Sequence, residues 1–353
     1  TRTISSAASD VYKRQKQVLP VVALMDVNIW MVLGFLLAAY SVVANDSLQT
    51  LGTYISSNRA RTPRWIQMSF ICTITLVVLG LGWSMNNGDP TWGRLEHFPL
   101  PETFTWVYVL PPLAVLALTA WGAPVSTSFL VLTSFVPNNI GKLLQSSLSG
   151  YVLAFGLGWT VWWLGMWMLE RWVFRRTRDH KEFNVIWYGL QWCSTGFLWS
   201  MWMVQDLANI FVYLPRSLGM LPMVLCTVIL CIGLCLLVVI GGGPIQGVLS
   251  SKTNMADLRS ATVIDFTFGL CLLIKAGLSS FPLSTTWVFL GLIGGREVAL
   301  RFKEKSLDEV FTNRNGGELH QIIGNDIGKA SVGVLVSVLF ALGLQPLIAW
   351  STG

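Results

Sequence analysis

Two short runs of this chain share one pattern. Ala123-Pro124-Val125-Ser126-Thr127-Ser128 follows Trp121-Gly122, and Phe281-Pro282-Leu283-Ser284-Thr285-Thr286 follows Gly277-Leu278-Ser279-Ser280. Each reads proline, apolar residue, serine, threonine, hydroxyl residue. A proline followed by hydroxyl side chains suits the first turn of a helix, whose free N–H groups bind anions. Each motif leads into an apolar run and then a break, at Val136-Pro137-Asn138-Asn139 and at Gly294-Gly295. The runs are about ten residues, and a helix needs ~20 to cross a bilayer. Each is therefore expected to be a re-entrant hairpin, buried by protein or lining water. Two such turns facing each other would make an anion site inside a membrane.

A second doubled pattern carries charge. Asn45-Asp46-Ser47-Leu48-Gln49 and Gln205-Asp206-Leu207-Ala208-Asn209 each interrupt an apolar span. A carboxylate within a span is costly and is more often functional than not. From Asp46 to Ser126 is 80 residues, and from Asp206 to Ser284 is 78. A third pair keeps the order: Asn139-Ile140-Gly141-Lys142 and Asp326-Ile327-Gly328-Lys329. A lone serine-threonine pair in a membrane helix usually bonds its own helix or a neighbour. The doubled pattern, after proline and at matched spacing, favours an internal repeat with a site at its interface.

The elements that must position these residues are helices. Hydrophobic residues make up 53% of the 353, charged residues 12%, and mean hydropathy is +0.58. That composition is a polytopic membrane protein, not a soluble domain. Several of the 17 tryptophans, such as Trp65, Trp83, Trp121 and Trp172, fit interfacial belts. The expected fold is all-α, with two inverted repeats, each holding a broken helix and a re-entrant hairpin. The expected divisions are 16–172 and 186–353, with a basic linker at 173–185. Residues 1–15 are set aside, because Ser5 to Gln15 read as a translated transposase sequencing adapter. Without Arg2, Lys13, Arg14 and Asp10 the net charge falls from +6 to +4. That excess fits cytoplasmic loops and argues little for nucleic acid, so no nucleic-acid partner is expected.

Within the halves, Pro111-Pro112 is expected to break the span from Phe104. The segment from Ile140 to Trp172 is longer than one crossing and is expected to be tilted or broken near Ser149-Gly150. A break there would also bring the basic loops at Arg59 and Arg171 to one face. A polar loop is expected from Arg296. Gly241-Gly242-Gly243 reads as a helix end, since no Gly-Lys-Ser/Thr follows. The six cysteines read as small core residues. The three histidines lie in polar loops and suggest no metal site. Asp26 reads as interfacial. Asp265 and Lys275 divide between a functional role and snorkelling.

These motifs resemble those of the inorganic phosphate transporter (PiT) family. That family carries a Gly-x-Asn-Asp-x-x-Asn type motif and a Pro-Val-Ser-Thr-Thr-His type motif in each of two inverted halves. The resemblance runs from about Asn28 to Pro346 and rests on the doubled order, since each motif alone is weak. It implies that Ser126, Thr127, Ser128, Ser284, Thr285 and Thr286 face the anion. It implies that Asn45, Asp46, Gln49, Gln205, Asp206 and Asn209 face Na⁺ or a proton path. There are departures. The histidine closing the hairpin motif is Phe129 in one half and Trp287 in the other, and Gln49 and Gln205 stand where the family has asparagine. Amide oxygens persist, so cation ligation is retained.

The function expected is a symporter in the cell membrane. It moves inorganic phosphate with Na⁺ or H⁺, with no cofactor beyond that coupling ion. Sulfate or another oxyanion is the alternative cargo. An intramembrane enzyme would need a base beside its nucleophile, and no histidine lies in a span. A sensor or scaffold would not need duplicated polar motifs. Beyond the anion, the partner is the lipid bilayer, with a homodimer left open.

Overall fold

The structure, a computed structural model, describes residues 28–120, 125–165, 181–241, 258–279 and 281–304, with helical positions between 328 and 351. Residues 1–15, Asp26, Ala123-Pro124, linker residues 173–180 and most of Asp326-Ile327-Gly328-Lys329 lie outside the described residues. All the regular elements described are helical.

The first span is Ile29–Ser41 (α1), capped by the Asn28 side chain, which accepts from Trp30 N at 2.8 Å. A wide five-residue turn, Val42–Asp46, follows, and the helix resumes as Ser47–Asn58 (α2). Wide turns of this kind inside helices often mark functional positions. Arg64–Met85 is α3. A long connection leads to a short tight turn, Trp106–Val109, and then to Leu110–Ala120 (α4). Pro111 and Pro112 start this helix rather than break it. In a first turn a missing N–H costs nothing.

Thr127–Phe135 (α5) is a nine-residue helix that stops before Pro137, as the proline predicts. Ile140–Thr160 (α6) runs unbroken through Ser149-Gly150 and ends in a wide turn, Val161–Gly165. Lys181–Gln205 (α7) begins inside the expected linker, so residues 181–185 are helical. It stops at Asp206, after which Leu207–Tyr213 winds tightly. Met220–Ile240 (α8) ends at Gly241, whose φ of 77° is the left-handed cap glycine tolerates best. Leu258–Leu278 is α9.

Thr285–Glu304 (α10) is one 20-residue helix. The break expected at Gly294-Gly295 is absent, and residues 296–304, expected to open a polar loop reaching Gln321, are helical, the rest of that loop lying outside the described residues. Arg296 is buried within the helix, pairs with Glu297 at 2.7 Å, and lies over the Trp162 ring. The glycines serve contact. A Cβ on Gly295 would collide with the Phe155 carbonyl, and one on Gly291 with the Tyr151 carbonyl. From the other side, a Cβ on Gly158 would stand 2.5 Å from the Leu292 carbonyl. The two backbones therefore pack at close range, as small residues allow in membranes. Gly150 takes up the Val288 side chain in the same seam.

The described helices pack as α6 on α10, α7 on α9 and α3 on α8. Among the described residues four stretches are long and apolar enough to cross a membrane: Ile29–Asn58, Arg64–Met85, Met220–Ile240 and Leu258–Leu278. This is an integral membrane protein by length and composition.

Candidate functional site

The two interrupted helices and the two hydroxyl motifs meet in the interior. Ser126 caps α5, its Oγ accepting from Phe129 N at 3.1 Å. Ser284 does the same for α10, accepting from Trp287 N at 3.3 Å. Its own N–H donates to Ser147 Oγ at 3.0 Å. Both motifs thus point a helix N-terminus, with its partial positive charge, into the cluster.

Asp46 and Asp206 are fully buried between these ends. Each receives hydrogen bonds from both motifs. Asp46 accepts from Thr127 N at 3.3 Å and from Thr286 Oγ1 at 3.4 Å. Asp206 accepts from the hydroxyls of Ser128 and Thr285. The amides follow the same rule: Gln49 Nε2 donates to Thr286 Oγ1 at 3.1 Å, and Asn209 Nδ2 to Ser128 Oγ at 3.0 Å. Exchanging Asp46 with Asp206, Gln49 with Asn209 and each motif residue with its counterpart keeps the residue pairs, but Asp46 takes the backbone N–H of Thr127 where Asp206 takes the hydroxyl of Thr285. All twelve residues picked from the two patterns are buried here.

The cluster is not self-satisfied. The amide oxygens of Asn45, Gln49, Gln205 and Asn209 are buried without a hydrogen-bond partner. Thr127 Oγ1 lies beside the Asp46 carboxylate without a well-formed bond. Buried polar groups left open in this way normally cost free energy, and each asks for an explanation. Four open amide oxygens with two carboxylates form a hard-oxygen set that fits an alkali cation. The open atoms are spread over both halves, as are the carboxylates.

Two participants, Trp202 and Arg94, carry no motif signal. Trp202 Nε1 donates to Thr285 Oγ1 at 3.1 Å. Asn45 Nδ2 donates to the Val125 carbonyl and to Asp46 Oδ1. Arg94, from the connection before α4, is buried close enough to Asp206 for the charges to interact. An arginine in a polar connection is the usual surface pattern, so nothing local singled it out.

Asp265 and Lys275 lie apart from this cluster. Asp265 accepts from Thr53 Oγ1 at 2.5 Å, Thr195 Oγ1 at 2.6 Å and Gln191 Nε2 at 3.0 Å. Lys275 Nζ donates to Ser149 Oγ at 2.7 Å and is buried, so it does not snorkel. The cysteines are free, and Cys72 Sγ approaches Cys235 Sγ at 3.6 Å across α3 and α8.

No protein-family model matches this sequence, and no curated protein matches it. A solved structure of a sodium-dependent phosphate transporter matches the fold with a TM-score of 0.59, over 91% of this chain and 98% of that chain, at 13% identity. The likeness shows a shared fold.

Proposed function

We propose that this chain is a secondary transporter that carries inorganic phosphate across the cell membrane together with Na⁺ or H⁺. The observation that carries the reading is the set of open oxygens: four buried, unpartnered amide oxygens beside two carboxylates, against two hydroxyl-bearing helix N-termini. A structural polar cluster would close its own bonds. This one leaves acceptors for a cation and turns two positive helix ends toward an anion. The likeness to a transporter whose name joins sodium and phosphate supports the same pairing. We read residues 16–172 and 186–353 as inverted repeats, on the exchange of contacts just described.

The hydrogen bonds suggest how the two solutes are linked. The hydroxyls of Ser128, Thr285 and Thr286 are spent on carboxylates. A cation or proton arriving at Asp46 or Asp206 competes for the same oxygens. The hydroxyls are then free to turn to an oxyanion. Without the cation, anion and carboxylates would repel each other in a medium of low dielectric. Each solute thus favours the other, which is what symport needs. Alternating exposure would come from one bundle rocking against the other.

Uptake of ³²P-phosphate and ³⁵S-sulfate into proteoliposomes, with and without a Na⁺ gradient, tests this. Phosphate uptake that follows the Na⁺ or proton gradient is expected. Sulfate taken up in preference would change the cargo. No gradient-driven uptake of either anion would overturn the proposal.

A further inference from the structure

The connection between α3 and α4 is an arch held by hydrogen bonds of its own and by contacts with other elements. Asp89 accepts from Thr91 N at 2.8 Å and from Gly93 N at 3.0 Å, which fixes the turn that presents Arg94. The arch is pinned beyond the C-terminal end of α5 and just before the second hydroxyl motif. Asn139 Nδ2, just after α5, donates to the His97 carbonyl at 3.3 Å, and the His97 ring stacks on Phe281, just before α10, at 6.1 Å. It is pinned to the second half as well, where Arg216 donates to the Phe98 carbonyl and Leu218 N to the Gly88 carbonyl.

Arg94 is 7% exposed, and its Nε and Nη2 are buried with no hydrogen-bond partner. Among the described residues the other arginine buried to this degree, Arg296, has its ion pair with Glu297. Arg216 satisfies its guanidinium on backbone carbonyls. Burying an arginine with open donors is costly unless something pairs with it. The charge it feels is Asp206, whose two oxygens hold Ser128 and Thr285. Arg94 thus lies on a connection that stacks on Phe281, just before the second motif, with its open donors buried. Nε and Nη2 are the two N–H groups on one edge of the guanidinium, the fork that grips two oxygens of one oxyanion.

We propose that Arg94 is a substrate-contacting residue of the transport site, whose Nε–Nη2 edge grips the oxyanion released to the two hydroxyl motifs. It supplies the fixed positive charge that the hydroxyls lack, and so favours doubly charged tetrahedral anions. Burial pushes the guanidinium down to about 10, so it stays charged at neutral pH. The inference rests on the transport reading above.

The test compares R94K and R94Q with the parent in proteoliposomes, measuring half-saturation for phosphate and for Na⁺ separately. A charge-assisted fork bond is worth enough that R94K should raise the KM for phosphate about tenfold, and R94Q more. Half-saturation by Na⁺ should move less than about twofold, because the cation oxygens are untouched. Thermal stabilisation by inorganic phosphate should weaken in parallel, while stabilisation by NaCl persists. The lysine variant keeps charge and most of the volume, so it guards against a fold defect in the glutamine variant. Parental KM for phosphate in both variants overturns the proposal, as does an equal loss of phosphate and Na⁺ affinity, which would mark a mere positioning role. If the parent itself transports neither anion, the transport reading fails instead.

Discussion

Asp46 and Asp206 hold matching places in the doubled sequence pattern, yet their surroundings differ. Asp46 sits at the end of a wide turn, and the helix resumes directly after it as α2. Around it lie amides, hydroxyls and the Thr127 N–H, and the charge it feels is the like charge of Asp206. Asp206 ends α7 in a non-helical conformation and opens a tight seven-residue winding. The charge of Arg94 acts on it. Two like sequence patterns therefore stand in different electrostatic surroundings. Residues at matching points of a repeated sequence pattern need not share an environment.

The largest effects should appear when each charge is removed. Asp46→Asn and Asp206→Asn should both abolish cation-driven phosphate uptake, because a hard cation needs charge as well as ligand oxygens. Their stabilities should diverge. Asp206→Asn disturbs the bonds from Ser128 and Thr285 and removes the carboxylate charge that acts on Arg94, and should cost about 1–3 kcal/mol. Asp46→Asn relieves a like-charge repulsion and should be neutral to within about 1 kcal/mol. Thermal unfolding of the purified variants reads the difference, and R94Q combined with Asp206→Asn should recover part of the loss. Equal destabilisation by the two asparagine variants would erase the asymmetry.

The hydroxyl partners sharpen the same contrast at smaller scale. Thr285 Oγ1 bonds both Asp206 and Trp202, whereas Thr127 Oγ1 has no well-formed bond. Thr285→Val should destabilise by about 1–3 kcal/mol, since it leaves a buried indole and a carboxylate short of a partner. Thr127→Val should change stability by less than about 1 kcal/mol. Both should weaken stabilisation by added phosphate if the hydroxyls turn to the anion. Parental stabilisation by phosphate in both variants would make the hydroxyls structural.

The helices carrying those threonines differ in their anchoring. Thr285 begins a 20-residue helix clamped on α6, while Thr127 begins a nine-residue helix that stops before Pro137. Gly295→Ala sets a methyl group against the Phe155 carbonyl and should lower stability by about 1 kcal/mol or more. Gly141→Ala, with open space around it, should raise stability by up to about 1 kcal/mol. A harmless Gly295→Ala would mean that the seam does not hold the second motif in place.

Local chemistry determined a good deal of this protein. The hydroxyl motifs cap helices because proline and serine set backbone geometry within one turn. Asp46 and Asp206 could be singled out because a charge in an apolar span is expensive wherever the chain folds. Gly241 ends α8 because a left-handed residue closes a helix locally. Only the tertiary structure decided how the motifs meet. The bonds of Asp206 to Ser128 and Thr285 join residues nearly 80 apart, and Gln49 reaches Thr286 across 237. No periodicity encodes such contacts. Glycine was ambiguous for a physical reason: the missing Cβ that lets a helix end also lets two helices touch. Gly294-Gly295 looked like a break, yet Gly295 lies against the α6 backbone. Arg94 was silent for another reason. A guanidinium in a polar loop is ordinary until packing removes its water, and packing is decided by residues far along the chain.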